Sequence, residues 1–174
     1  MAYQQQGRFP ETRLRRMRSN SFSRGLMRET VLAPQELIYP VFLEEARQTT
    51  TIPSLPGIER LSETLLGKKA EELLEFGVKG ICLFPCVDNT KKTADARESY
   101  NPKGLVPKRV SFLKERFPQL TIITDVALDP YTVSGHDGII NSCGEVLNDE
   151  TLEILKRQAL CHSEAGADIV APSD

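Results

Sequence analysis

Four short apolar runs punctuate the chain at 37–43, 80–85, 121–128 and 167–171, and their β-branched and aromatic residues predict strands. Between the runs, apolar positions recur with the helical period. Leu66, Ala70, Leu73 and Leu74 mark one helix that stops at Gly77, Val106, Val110, Leu113 and Phe117 a second before Pro118, and Leu152, Leu155 and Ala159 a third before Gly166. Such alternation predicts a parallel α/β sheet with right-handed crossovers. The strands read as almost continuous apolar runs, the pattern of a sheet covered on both faces. Four strands and three helices are half the count of a (β/α)8 barrel, which takes about 250 residues. A complete doubly wound sheet of flavodoxin type fits the spacing equally well. In an open half-barrel, the run at 167–171 would be an unpaired apolar edge.

Two loops are long enough to matter. Residues 138–147 alternate apolar and polar around Asn141-Ser142-Cys143-Gly144, which predicts a hairpin excursion lying over the strand ends. Residues 88–107 are rich in charge and carry Pro102 and Gly104, so they either fold over a site or form a plain surface connection.

Composition narrows the class. The chain has 174 residues, 40% hydrophobic and 26% charged, which suits one soluble domain. No apolar run approaches the ~20 residues of a membrane span. A net charge of -2 argues against a general polyanion binder. Locally, however, Arg8, Arg13, Arg15, Arg16, Arg18, Arg24 and Arg28 face only Glu11 and Glu29 near the start. A basic start of this kind is a transit peptide, a nucleic-acid arm or an ordered extension that packs on a partner. Tyr3, Phe9 and Phe22 are few aromatics for a nucleic-acid arm, and no nucleic-acid motif follows. Cys82, Cys86, Cys143 and Cys161 form no C-x-x-C pair, so a reducing, cytoplasmic setting is expected. Cys82 and Cys86 share strand parity, yet they read as buried structural thiols, and His162 as a structural helix residue.

Candidate chemistry gathers where the third strand ends. Asp125, Asp129, His136 and Asp137 lie in or just after that strand, punctuated by Pro130, Gly135 and Gly138. In parallel α/β folds, ligands bind at the carboxyl ends of strands. The competing reading is a solvated loop that uses aspartate for turns and caps, with His136 bonded to nearby backbone.

The run Asp125-Val126-Ala127-Leu128-Asp129-Pro130-Tyr131, followed by Gly135-His136-Asp137-Gly138, resembles the porphobilinogen synthase (5-aminolevulinate dehydratase) family. Arg13-Leu14-Arg15-Arg16, Pro40-Val41-Phe42, Ile52-Pro53-Ser54-Leu55-Pro56-Gly57, Leu83-Phe84-Pro85, Tyr100-Asn101-Pro102 and Ala171-Pro172-Ser173-Asp174 agree with it. The resemblance runs from about Arg13 to the last residue and covers the first half of such an enzyme. It implies the N-terminal half of a TIM barrel, with residues 35–174 as its first four βα units. It also implies that residues 1–34 are an arm embracing a neighbouring subunit in a homo-oligomer, an octamer. Arg13 to Arg16 already belong to the resemblance, which leaves no obvious mature start after a transit peptide.

The implied activity is a lyase of haem and tetrapyrrole biosynthesis that condenses two molecules of 5-aminolevulinate to porphobilinogen with loss of two waters. By the resemblance, Asp125 orients the substrate amine or assists proton transfer, and Ser173 is a site serine. In one branch three cysteines bind catalytic zinc; here those positions are Ala127, Asp129 and Asp137, so no thiolate zinc site is expected. Carboxylates suit magnesium, and Asp129 and Asp137 either touch that metal or only hydrogen bond. Ser134 stands where relatives often carry another polar residue.

The family reaction also needs two Schiff-base lysines, each reaching a carbonyl as the free amine. Lys68, Lys69, Lys108, Lys114 and Lys156 lie on predicted helices or their approaches, Lys91, Lys92 and Lys103 in a loop, and Lys79 at a strand start. None is expected in the barrel mouth, so the chain alone is expected not to catalyse the condensation. Two other classes remain: a non-catalytic half-barrel that assembles with other subunits or binds divalent cations, and a phosphate-handling protein, for which no glycine-rich cradle is visible.

Overall fold

A computed structural model of the chain describes residues 7–46 and 50–173. The chain divides into two compact units, 1–33 and 34–174. The first contains α1 (Ser21–Leu26), capped where Asn20 Oδ1 accepts a 2.8 Å bond from Ser23 N, and α1 buries no residue. A six-residue helix without a buried face is marginal by itself in water. Phe9, Leu14, Phe22 and Leu32 are all exposed.

The second unit holds β1 (Ile38–Leu43), β2 (Thr50–Thr51), β3 (Glu59–Leu61), α2 (Glu63–Glu75), β4 (Gly80–Pro85), α3 (Leu105–Arg116), β5 (Thr121–Val126), α4 (Asn148–Glu164) and β6 (Ile169–Pro172). One sheet runs in the order β2-β3-β1-β4-β5-β6, with every neighbouring pair parallel except β2 with β3. The four main strands lie in sequence order, and what excludes the doubly wound alternative, which carries helices on both faces, is where the helices lie. All three long helices pack on one face, where Val41, Leu43, Ile81, Leu83, Ile122 and Val126 are buried. This is the half-barrel arrangement.

Two helices stop alike. Gly77 and Gly166 adopt φ of 78° and 105°, which a side chain would resist. Each lets the next residue reach back across the helix end, Val78 N to Leu73 O at 2.8 Å and Ala167 N to His162 O at 3.1 Å. The entry to β6 is then pinned by Asp168, whose carboxylate accepts from Ile122 N at 2.8 Å and pairs with Lys114 at 2.9 Å.

Three expectations need correction. The sheet is covered on one face only: Phe42, Cys82, Phe84 and Asp125, on the other, are half-buried. Continuous apolar runs reflect a barrel interior as well as a second helix layer, and the pattern does not separate the two. The strands β2 and β3 are too short for a periodic signal, and went unread. In α4 the buried stripe is Thr151, Leu155, Gln158 and His162, whereas Leu152 is 56% exposed. Thr151 and Gln158, which find partners in the loop before α4, and the unpartnered His162 displaced the apolar reading of that face.

Candidate active site

Alternation along β5 sends Ile122, Thr124 and Val126 to the helices and leaves Asp125 on the open face. In register, Asp125 lies opposite Ala171 of β6, and Ser173 follows two residues later with the same parity. The Ser173 hydroxyl donates to Asp125 Oδ1 at 2.7 Å, and Ser173 N donates to Val126 O at 3.3 Å. Two residues 48 apart thus meet at the carboxyl edge of the sheet. Cys82 shares that open face, and burial, with the charge of Asp125 behind it, pushes its thiol up from the usual range.

Beyond β5 the chain makes a turn that is buried beneath and open above. Ala127, Leu128, Tyr131 and Thr132 are buried, while Asp129 is exposed. Leu128 O accepts from Tyr131 N at 2.8 Å and Thr132 N at 3.0 Å. Burial pushes the Tyr131 phenol far up, helped by the charges of Glu98 and Asp125. The loop from β4 is tied to this turn, because Thr93 N donates to Tyr131 O and Val133 N to Thr93 O. So residues 88–107 are more than a plain connection.

The predicted excursion at 138–147 carries one antiparallel bridge, Ile140 to Val146. It is fastened to α4 rather than left free: Thr151 Oγ1 accepts from Ile139 N at 3.0 Å and donates to Leu147 O at 2.7 Å.

His136 takes the quieter of its two readings. Its Nδ1 accepts from Gly138 N at 3.0 Å, and its carbonyl accepts from the Thr132 hydroxyl at 2.9 Å. An accepting Nδ1 places the neutral ring's proton on Nε2, and the side chain shapes the loop that leads to the exposed Asp137.

A cavity of about 590 Å³ opens where β1, β4 and β5 end, walled by Glu44, Arg60, Cys86, Asp88, Lys92 and Asp129. Neither Asp125 nor Ser173 lines it; that pair sits on the open face beside it. Lys92 is half-buried there, which corrects the expectation that no lysine lies in the mouth. Its loop doubles back over the strand ends through the Thr93 bonds, a path that sequence does not disclose. Burial pushes the Cys86 thiol up, outweighing the opposing charge of the Arg60 guanidinium. Arg60, Lys92 and Glu44 carried no signal in the sequence beyond being polar near strand ends.

Asp129 shares the cavity with other carboxylates, but Arg60 and Lys92 share it too, and Lys91 pairs with Glu45 at 2.5 Å. Among the described residues, no three His, Cys, Asp or Glu side chains converge as metal ligands. Asp129 and Asp137 therefore do not complete a magnesium site by themselves.

Residues 11–174 match the family model described as delta-aminolevulinic acid dehydratase. The chloroplastic delta-aminolevulinic acid dehydratase of Selaginella martensii is 42% identical over 94% of this chain and 39% of its own length. That of Chlamydia pneumoniae is 45% identical over 93% of this chain and 49% of its own. A crystal structure of the Toxoplasma gondii enzyme with the product porphobilinogen superposes with a TM-score of 0.91 at 44% identity, covering 94% of this chain and 47% of that one. The chain thus spans between about two fifths and one half of the relatives it resembles.

Proposed function

The chain belongs to the delta-aminolevulinic acid dehydratase family, and from that premise we propose that it is the amino-terminal half of a porphobilinogen synthase. The proposed reaction condenses two 5-aminolevulinate molecules to porphobilinogen with loss of two waters, a lyase step of haem and tetrapyrrole synthesis. One observation carries the reading: the Asp125–Ser173 pair stands at the carboxyl edge of a parallel half-barrel that superposes on a product complex.

In this reading Ser173 orients the Asp125 carboxylate by donating to Oδ1. The carboxylate keeps further lone pairs for a substrate ammonium and for the proton it gives up, the work of a positioned acid-base group. No described strand carries a lysine, so the Schiff-base amines are assigned outside the described sheet rather than to Lys92, which reaches the mouth from a loop. Magnesium is the cation that carboxylates rather than thiols at 129 and 137 favour; its remaining oxygen ligands would come from elsewhere, and no step is assigned to it. The arginine-rich first unit, which exposes Phe9, Leu14, Phe22 and Leu32, supports a role as an arm in a homo-oligomer, proposed as an octamer. Four free cysteines support a cytoplasmic setting.

The test is borohydride trapping of 5-aminolevulinate on protein from its native source, read by intact mass and peptide mapping. An adduct on a species about twice 19.5 kDa, mapped outside residues 1–174, is expected. An adduct on Lys92 would overturn the assignment of the lysines. No adduct on a 19.5 kDa species would leave a non-catalytic half-barrel.

A further inference from the structure

We propose that Gln158 is a positioning residue, whose amide holds the first foot of the turn that carries Asp129 and so sets that carboxylate relative to the Asp125–Ser173 pair. The proposal rests on the reading of this sheet edge as the active site. The turn poses an uncommon problem for a loop. Its underside is buried, so its backbone polar groups have no water to turn to and each needs a protein partner. Leu128 O is satisfied within the turn, and Tyr131 O accepts from Thr93 N at 3.0 Å. Ala127 O, the first carbonyl past β5, accepts from Gln158 Nε2 at 3.2 Å.

Gln158 projects from α4 and is 0% exposed. Ala127 precedes Asp129 by two residues, so this one bond fixes the turn where it leaves β5. The other half of the amide is poorly served: Gln158 Oε1 has no hydrogen-bond partner. A buried amide with an unsatisfied oxygen is a poor packing residue, and an apolar side chain of similar volume would avoid that cost. What an apolar side chain cannot do is donate to Ala127 O. Thr151, two turns earlier on the same stripe, clamps the excursion that follows, so this face of α4 sets the backbone of the whole acidic loop from 127 to 139.

The experiment compares Gln158→Met and Gln158→Glu with the unmodified full chain. Amide hydrogen exchange is followed at residues 128–133 and, as an internal reference, in β4 and α2, at pH 7.5 and 5.5. Expected at pH 7.5 is exchange about tenfold or more faster in the turn of both variants, as loss of one buried bond implies, with the reference amides within twofold. At pH 5.5 Gln158→Glu should recover toward the unmodified chain, because a protonated carboxyl again donates to Ala127 O, while Gln158→Met should not. A turn unchanged in both variants, a loss spread evenly over β4 and α2, or identical pH behaviour of the two variants would each overturn the proposal. No substrate enters this measurement, so it stands apart from the porphobilinogen reading. If that reading also holds, Gln158→Met in the complete enzyme should lower kcat more than it changes KM.

Discussion

Asp125 was legible at the scale of the residue because a charged side chain on an apolar β-branched run has few structural uses, and strand ends are where such folds bind ligands. Its partner Ser173 was placed only through the resemblance, since nothing local links positions 48 apart. In the complete enzyme, Asp125→Ala should lower turnover by about 10² or more, as loss of a positioned acid-base group does, and Ser173→Ala by about tenfold, the worth of one charge-assisted bond. Equal loss in both would mean that the hydroxyl is itself a reacting group. His162 yields a prediction on stability. It is 0% exposed, neither ring nitrogen has a partner, and burial lowers its pKa to about 4. The unfolded chain therefore takes up this proton first, at pH near 6.5. Stability tied to His162 is complete above pH 6.5 and is lost as pH falls toward 4, by about 3 kcal/mol over the window. Urea unfolding of the chain and of His162→Leu from pH 7.5 to 4.5 should show their difference changing by that order. A constant difference would mean that the ring finds a partner when charged.

Among elements, the three long helices were legible to within a few residues, because their stops are chemical and local, in Gly77 and Gly166. The inward face of α4 was not. Periodicity ranks side chains by apolarity, and here Thr151 and Gln158 face inward because the preceding loop offers bonds that only the fold reveals, while His162 is buried on the same face without a partner. Replacing Thr151 by Val keeps the shape but removes the hydroxyl's bonds to Ile139 N and Leu147 O; Leu147 O keeps the bond from Thr151 N, and Ile139 N is left to find water. Limited proteolysis within 138–147 should quicken about tenfold, and Thr151→Ser, which keeps the hydroxyl, should restore resistance. Leu83, fully buried on β4 between strands and helices, should cost about 2–5 kcal/mol as Leu83→Ala, lowering the urea midpoint without changing the slope.

On the scale of the whole molecule, the sheet has a covered face and an open one, and edges where Ile38 and Ile169 are 58% and 47% exposed. Along β1 only Phe42 and Leu43 are paired with β3, and no described strand lies beyond β6. An open parallel edge beside an apolar face is a template for association. Sedimentation of the 174-residue chain alone should give a concentration-dependent mass above 19.5 kDa. Ile169→Lys, which places a charge on the edge, should shift it toward the monomer; an unchanged distribution would move the association to the first unit, with its exposed Phe22 and Leu32.

By itself the sequence determined the number and order of the main strands and long helices, the family resemblance and the place of Asp125, since these depend on residue types that act within a few positions of one another. Only the tertiary structure decided which sheet face is covered, that Ser173 meets Asp125, that Lys92 turns into the mouth and that Gln158 lies under Asp129. Each of those is a contact between segments far apart in the chain, where hydrogen bonds and shape outweigh the apolar period that sequence displays.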